Sequence, residues 1–177
     1  NIHLLKTERL HPQAWNFRGT DAALPVFGSG QCHLDGILYL AGHLKRELGF
    51  QKVLWFNMRE EPVVFINGQA CAPRTEGNLN ENVEYLAQIE GYELDAMERR
   101  LCKDCGEAGS TLGVHYQVSG TENEKRNLST STARCVSDVY PSTVRYHRIP
   151  IADEAAPEEK DFDQLIFAVR SALQDSA

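Results

Sequence analysis

Apolar and polar positions along this chain switch between a helical period and the runs or alternation of strands. Ile37, Leu38, Ala41, Leu44 and Leu48 recur at helical spacing and stop before Gly49, a residue suited to ending a helix. Val53-Leu54-Trp55-Phe56 follows as an unbroken apolar run, the mark of a strand covered on both faces. With a short strand expected at Leu24-Pro25-Val26-Phe27, the order strand, helix, buried strand predicts a parallel crossover. Val63-Val64-Phe65-Ile66 and Gln69-Ala70-Cys71-Ala72 flank Asn67-Gly68, which predicts a hairpin because a two-residue turn needs left-handed backbone at both positions. Helices are expected over 82–89, through Val83, Leu86 and Ala87, and again through Leu94, Met97 and Leu101. Val114 to Val118 and Arg134 to Tyr140 read as strands, whereas 119–132 is polar without periodicity and reads as an exposed loop or insertion.

The last thirty residues give the pattern its direction. Val144, Tyr146, Arg148, Ile149 and Ile151 predict a strand that runs into a loop carrying Asp153 and Glu154. Pro157 and two acids then open a helix, where proline is tolerated and carboxylates suit the positive end of the dipole. Phe162, Leu165, Ile166, Val169 and Leu173 are expected to face inward. A strand ending in an acidic loop before a helix puts carboxylates at the carboxyl edge of a sheet, where open α/β proteins bind ligands. Asn57-Met58-Arg59-Glu60-Glu61, closing the earlier buried strand, reaches the same kind of edge. A solvated salt-bridge cluster is the alternative reading of those charges.

Composition narrows the classes. A length of 177 residues and 42% hydrophobic content fit a single soluble domain, with no internal repeat and no second domain in view. A net charge of -7 gives no electrostatic reason for a nucleic-acid partner. No apolar run approaches the ~20 residues that span a bilayer, so no transmembrane segment is expected. The chain begins at Asn1 rather than Met and is expected to be an internal piece of a longer protein. Five cysteines form no disulfide framework, which points to free thiols and a cytoplasmic location. Cys102-Lys103-Asp104-Cys105 has a zinc-knuckle or redox spacing, but no second pair accompanies it and it sits where a helix ends. Six histidines lack paired ligand spacing, so neither a metal nor a cofactor is expected.

Several motifs stand in register: LPVFGSGQ at 24–31, NMREEPVVFINGQA at 57–70, the NVEY at 82–85 and YHRIPIADEAAP at 146–157. Together they resemble the protein-tyrosine-phosphatase-like inositol phosphatases, the superfamily of bacterial cysteine phytases, and most closely its paladin-like branch. The resemblance covers most of the chain and is weakest over 102–140. It implies an α/β fold, a mostly parallel sheet flanked by helices, here lacking the strand and following helix of the phosphate-binding loop. It also implies hydrolysis of phosphate monoesters by a cysteine thiolate, held in a Cys-x5-Arg loop whose backbone N–H groups cradle phosphate and lower the thiol pKa. Asp153 matches the family's general acid, four residues ahead of Pro157, and would protonate the departing oxygen. Glu154 replaces the histidine usual in cysteine phytases, which favours the paladin-like branch. Arg59 matches the substrate-binding arginine after the buried strand; Glu61 either orients Arg59 or is a surface residue. The implied partner is a phosphorylated small molecule, a phosphoinositide or a phosphoprotein.

Six residues after each cysteine stand Leu38, Gly77, Ala108, Thr111 and Pro141, so none opens a Cys-x5-Arg loop. Two functions are therefore carried forward: part of a phosphatase domain whose nucleophile lies outside these residues, and a pseudophosphatase module that binds phospho-ligand or protein without turnover. A zinc-dependent adaptor built on Cys102 and Cys105 is the least favoured. A sheet lacking a central strand exposes apolar surface. The isolated 177-residue chain is accordingly expected to be poorly soluble; a sharp two-state melt of a monomer would contradict this.

Overall fold

The computed structural model describes residues 12, 14–20, 24–75, 77, 79, 89–106, 110–119, 122–152 and 155–174. In chain order these give β1 (Arg18–Gly19), β2 (Phe27–Gly28), α1 (Leu34–Arg46), β3 (Val53–Arg59), β4 (Val64–Ile66), β5 (Gln69–Cys71), α2 (Gly91–Cys105), β6 (Thr111–Ser119), β7 (Glu122–Ser129), β8 (Ala133–Cys135), β9 (Val144–Ile151) and α3 (Glu159–Gln174). Of the helix expected over 82–89, residues 82–88 lie outside the described residues, and Ile89 is not helical.

The architecture is α/β, built around one parallel pair. β3 runs beside β9, Val53 opposite Val144 and Asn57 opposite Arg148, with a register shift before Arg59 meets Ile151. The parallel partner of β3 is thus β9, and the short β2 instead pairs antiparallel with β1. Two residues of β2 are too few to fill a place in the central ladder. A second sheet orders β5-β4-β8, both pairs antiparallel. The Asn67-Gly68 turn is present as the sequence predicts, with φ of 50° and 83°, values that glycine adopts without strain and asparagine tolerates.

Asn67 also binds a distant segment. Its Oδ1 accepts from Ser131 N–H at 2.9 Å and Thr132 N–H at 3.1 Å, and its Nδ2 donates to the Ser129 carbonyl at 2.9 Å. That clamp fixes the base of the β6–β7 hairpin. The expectation of an irregular loop over 119–132 is corrected here, because β7 occupies most of it. Polar on both faces, β7 shows no period of its own and is ordered by its partner strand. Arg126 pairs with Glu124 at 2.7 Å and lies 4.9 Å above the Tyr116 ring. The strand expected over 134–140 shortens to β8, followed by a single 3-10 turn over Val136–Asp138.

The main core gathers Ala14, Cys32, Ile37, Leu40, Val63, Phe65, Val136 and Val139. Trp55, Tyr140 and Tyr146 stack beside it, with ring centroids 5.1 and 4.8 Å apart. Helix α1 buries Ile37, Leu40, Ala41 and Leu44, whereas Leu38 and Leu48 are exposed. Residues 37, 40, 41 and 44 make one stripe, from which Leu38 is turned by about 100°. Helix α3 departs further from expectation. It lies against β9 and buries Ala168 and Ala172, with Leu165 and Val169 half-buried beside them as expected, while Phe162, Ile166 and Leu173, expected inward, are exposed along with Phe167. Alanine permits the close approach, so the bulkier apolar side is left outward.

Helix α2 seats against β9 at its first residue: a Cβ on Gly91 would stand 2.9 Å from the Arg148 carbonyl oxygen. From there Glu98, 1% exposed, reaches back to Arg148, 9% exposed. The two are ion-paired, and Glu98 Oε1 also accepts from Val63 N–H at 2.9 Å. Asp95, one turn earlier on α2, lies 3.8 Å from Arg148 Nε. Burial raises the Glu98 pKa, against the lowering by Arg148 and Val63. Desolvation thus outweighs the pairing, and the ions hold geometry more than they add stability. Glu98→Ala, which strands a buried guanidinium, is expected to cost about 3–5 kcal/mol in denaturant unfolding, and the double change Glu98→Leu with Arg148→Met to recover most of that.

Candidate functional site at the carboxyl edge of the parallel pair

Strand register alone brings two separated segments to one edge. Arg59 closes β3 directly opposite Ile151, the last residue of β9. The irregularity between Asn57 and Arg59 re-aims the chain there, as bulges do. It has named supports: Arg59 N–H donates to Asn57 Oδ1 at 3.1 Å, and Asn57 Nδ2 donates to Tyr146 Oη at 3.4 Å. Arg148 Nη1 donates to the Arg59 carbonyl at 3.4 Å. The backbone of Arg59 is therefore tied on both sides, and Arg148 is itself held by Glu98.

The Arg59 side chain is 36% exposed and pairs through Nη2 with Glu61 Oε2, the first of the two roles read for Glu61 from the sequence. Glu61 is buried, and its Oε1 has no hydrogen-bond partner; nor has Arg59 Nε. Hydrogen-bonding capacity thus remains unspent on both members of the pair. A guanidinium oriented by a buried carboxylate and open on one side is a suitable holder for a phosphoryl group.

On the β9 side, Ala155 N–H donates to the Ala152 carbonyl at 3.1 Å. Asp153 and Glu154, the acidic residues expected between them, lie outside the described residues. Beyond, Glu158 N–H donates to Asp161 Oδ2 at 2.8 Å, which starts α3, and Lys160 pairs with Glu90 and Glu158 at 3.5 Å each. A small cavity of about 60 Å³ opens here, lined in part by Glu60, Ile151, Ala155, Lys160 and Gln164. It has room for water rather than for a sugar ring. A larger cavity, about 420 Å³, lies beyond the Asn67-Gly68 turn, between the first turn of α1 and β8. It shares no lining residue with the edge, and its Arg134 is accompanied by Asp35.

None of the five thiols has the environment of a phosphatase nucleophile. Burial raises Cys32, Cys71, Cys105 and Cys135 above the ordinary thiol value, and Cys102 is pushed up to about 12 by burial and by its hydrogen bond with Cys135. A sulfur that attacks a phosphate ester at neutral pH needs the opposite shift. Cys102 and Cys105 close α2, the position read from the sequence. Among the described residues, no group of three or more His, Cys, Asp or Glu side chains is placed to hold a metal ion. Nor is any described helix long and apolar enough to cross a membrane.

Sequence reasoning missed Glu98 and Arg148 as supports of the edge. The signal was present: Arg148 alternates in phase with Val144 and Tyr146, and Glu98 falls on the α2 face of Leu94. A charge in phase with buried positions demands a buried partner.

Comparison with known proteins agrees with this architecture. The family model PTPlike_phytase, described as "Inositol hexakisphosphate", matches residues 56–177. Paladin from Gallus gallus is 29% identical over 174 residues, covering 89% of this chain and 20% of its own, and paladin from Homo sapiens is 26% identical over 172 residues, covering 88% and 20%. The chain thus spans about a fifth of the length of these curated relatives. Among solved structures, the tandemly repeated protein tyrosine phosphatase-like phytase from Mitsuokella multacida superposes with a TM-score of 0.63 at 17% identity, covering 81% of this chain and 23% of that one. A PTP-like phytase from Bdellovibrio bacteriovorus gives 0.59 at 19% identity, covering 91% and 53%. With the family model spanning well over half of its residues, this chain belongs to the protein-tyrosine-phosphatase-like phytase family.

Proposed function

We propose that this chain supplies the general-acid loop and an anion-holding arginine to a cysteine-dependent phosphatase domain acting on phosphate monoesters, inositol phosphates first among them. One observation carries the reading: the β3–β9 ladder sets Arg59 opposite Ile151, two residues ahead of Asp153 in the sequence. In this reading Arg59, oriented by Glu61, neutralises charge on the bound phosphoryl group by paired N–H donors. Asp153 donates a proton to the ester oxygen as the P–O bond breaks, so that an alcohol departs instead of an alkoxide. The attacking thiolate comes from a part of the longer protein outside these 177 residues, since none of the five sulfurs precedes an arginine at the required spacing.

The substrate class rests on the family and on one neighbour, the PTP-like myo-inositol phosphatase from Mitsuokella multacida, solved in complex with myo-inositol-(1,3,4,5)-tetrakisphosphate. Phosphoinositide headgroups and phosphoproteins present the same monoester and are the next candidates. A cytoplasmic location fits thiols that form no disulfide framework. The same five unactivated sulfurs favour one second reading, a pseudophosphatase module that binds phospho-ligand without turnover.

The full-length protein separates the two when given myo-inositol hexakisphosphate. Asp153→Asn is expected to lower phosphate release about 10²–10⁴-fold with binding preserved. Arg59→Ala is expected to weaken binding about 10–100-fold by calorimetry, the loss of charge-assisted hydrogen bonds. Binding without any phosphate release would establish the second reading, and release indifferent to Asp153→Asn would sink the first.

A further inference from the structure

Away from the sheet edge, two thiols meet across an element boundary. Cys102 stands in the last turn of α2 and Cys135 ends β8, and their Sγ atoms are 3.3 Å apart within a shared hydrogen bond. Both are free thiols, Cys135 buried and Cys102 partly so. A disulfide needs its sulfurs at about 2.05 Å, so only a closure of about 1.3 Å separates this contact from a bond. The chain between the two cysteines contains the whole β6–β7 hairpin. Cys71 and Cys105 lie near enough for the Cys105 charge to act on both Cys71 and Cys102, yet no other pair of sulfurs among the described residues is recorded in contact.

We propose that Cys102 and Cys135 are a reversible redox pair, a dithiol in reducing surroundings that hydrogen peroxide converts to a disulfide stapling α2 to β8 at the base of the hairpin. The chemistry balances with one peroxide. One sulfur attacks a peroxide oxygen, the O–O bond breaks, and a sulfenic acid and one water form. The neighbouring sulfur then attacks the sulfenic sulfur, the S–O bond breaks, and a second water leaves with the thiol proton. Two sulfurs lose one electron each, and the peroxide takes both. Burial raises both thiols, so the reaction is slow near neutral pH and a reductant readily keeps the pair open.

The staple constrains the unfolded chain by closing a loop of about thirty residues, which raises the melting temperature of the oxidised form. In full-length protein treated with excess hydrogen peroxide and then alkylated, Cys102 and Cys135 are expected to escape alkylation, and a non-reduced digest is expected to yield a peptide joining the two. Its Tm is expected to rise by about 5–10 °C and to return after dithiothreitol. Cys71→Ser and Cys105→Ser should leave the cross-link intact, whereas Cys135→Ser should abolish it. Should that buried change prevent folding, Cys102→Ser, at a less buried position, makes the same test. A cross-link through Cys71 or Cys105, Cys102 and Cys135 both still alkylated after oxidation, or stoichiometric zinc in the untreated protein would each overturn the proposal.

Discussion

A guanidinium inside the parallel ladder is the constraint from which the rest of this structure follows. Once β9 carries Arg148 into the interior, its charge must be answered there, because little of it faces solvent. The answer comes from α2 through Glu98, with Asp95 behind it. That single contact sets the depth at which the helix sits and explains why Gly91 must pass so close to the strand. Glu98 Oε1 also accepts from the N–H of Val63, the residue leading into β4, and Arg148 spends one donor on the carbonyl of Arg59. Helix, parallel pair and second sheet therefore meet at one buried pair of ions, each of which would be costly alone.

What the amino-acid pattern discloses depends on how local the signal is. Asn67-Gly68 specifies its own turn, and the stop at Gly49 and the acid-rich start after Pro157 punctuate helices through backbone chemistry within a few residues. Partners are another matter. Nothing in Val53-Leu54-Trp55-Phe56 says that its neighbour lies far down the chain at Val144 rather than at the nearby Val26-Phe27. β7 has no apolar face to reveal it, since its order is imposed by β6 and by the clamp from Asn67. Helix α3 was legible as a helix and only partly in its rotation: Leu165 and Val169 turn inward as expected, but closely fitting alanines take the rest of the inner face from Phe162, Ile166 and Leu173.

The candidate site divides along the same line. Arg59 and the β9 terminus could be read as rim residues because they end apolar strands, and Glu61 was near enough in sequence to suggest its partner. The supports beneath them could not be read in that way, for they join residues about fifty positions apart on a helix and a strand. At 17% identity to the Mitsuokella multacida enzyme the overall path of the chain is retained. Side-chain ties of this kind are where relatives so distant are free to differ.

The parallel pair has a consequence for how the molecule comes together in time. Its two strands begin about ninety residues apart, and a parallel ladder gains nothing until that whole span has been closed. The β4–β5 and β6–β7 hairpins, each joined across a handful of residues, need no such search. Local hairpins are therefore expected to form early, and the edge that unites Arg59 with the end of β9 to be among the last features assembled, so a nascent chain holds its turns well before it holds that edge.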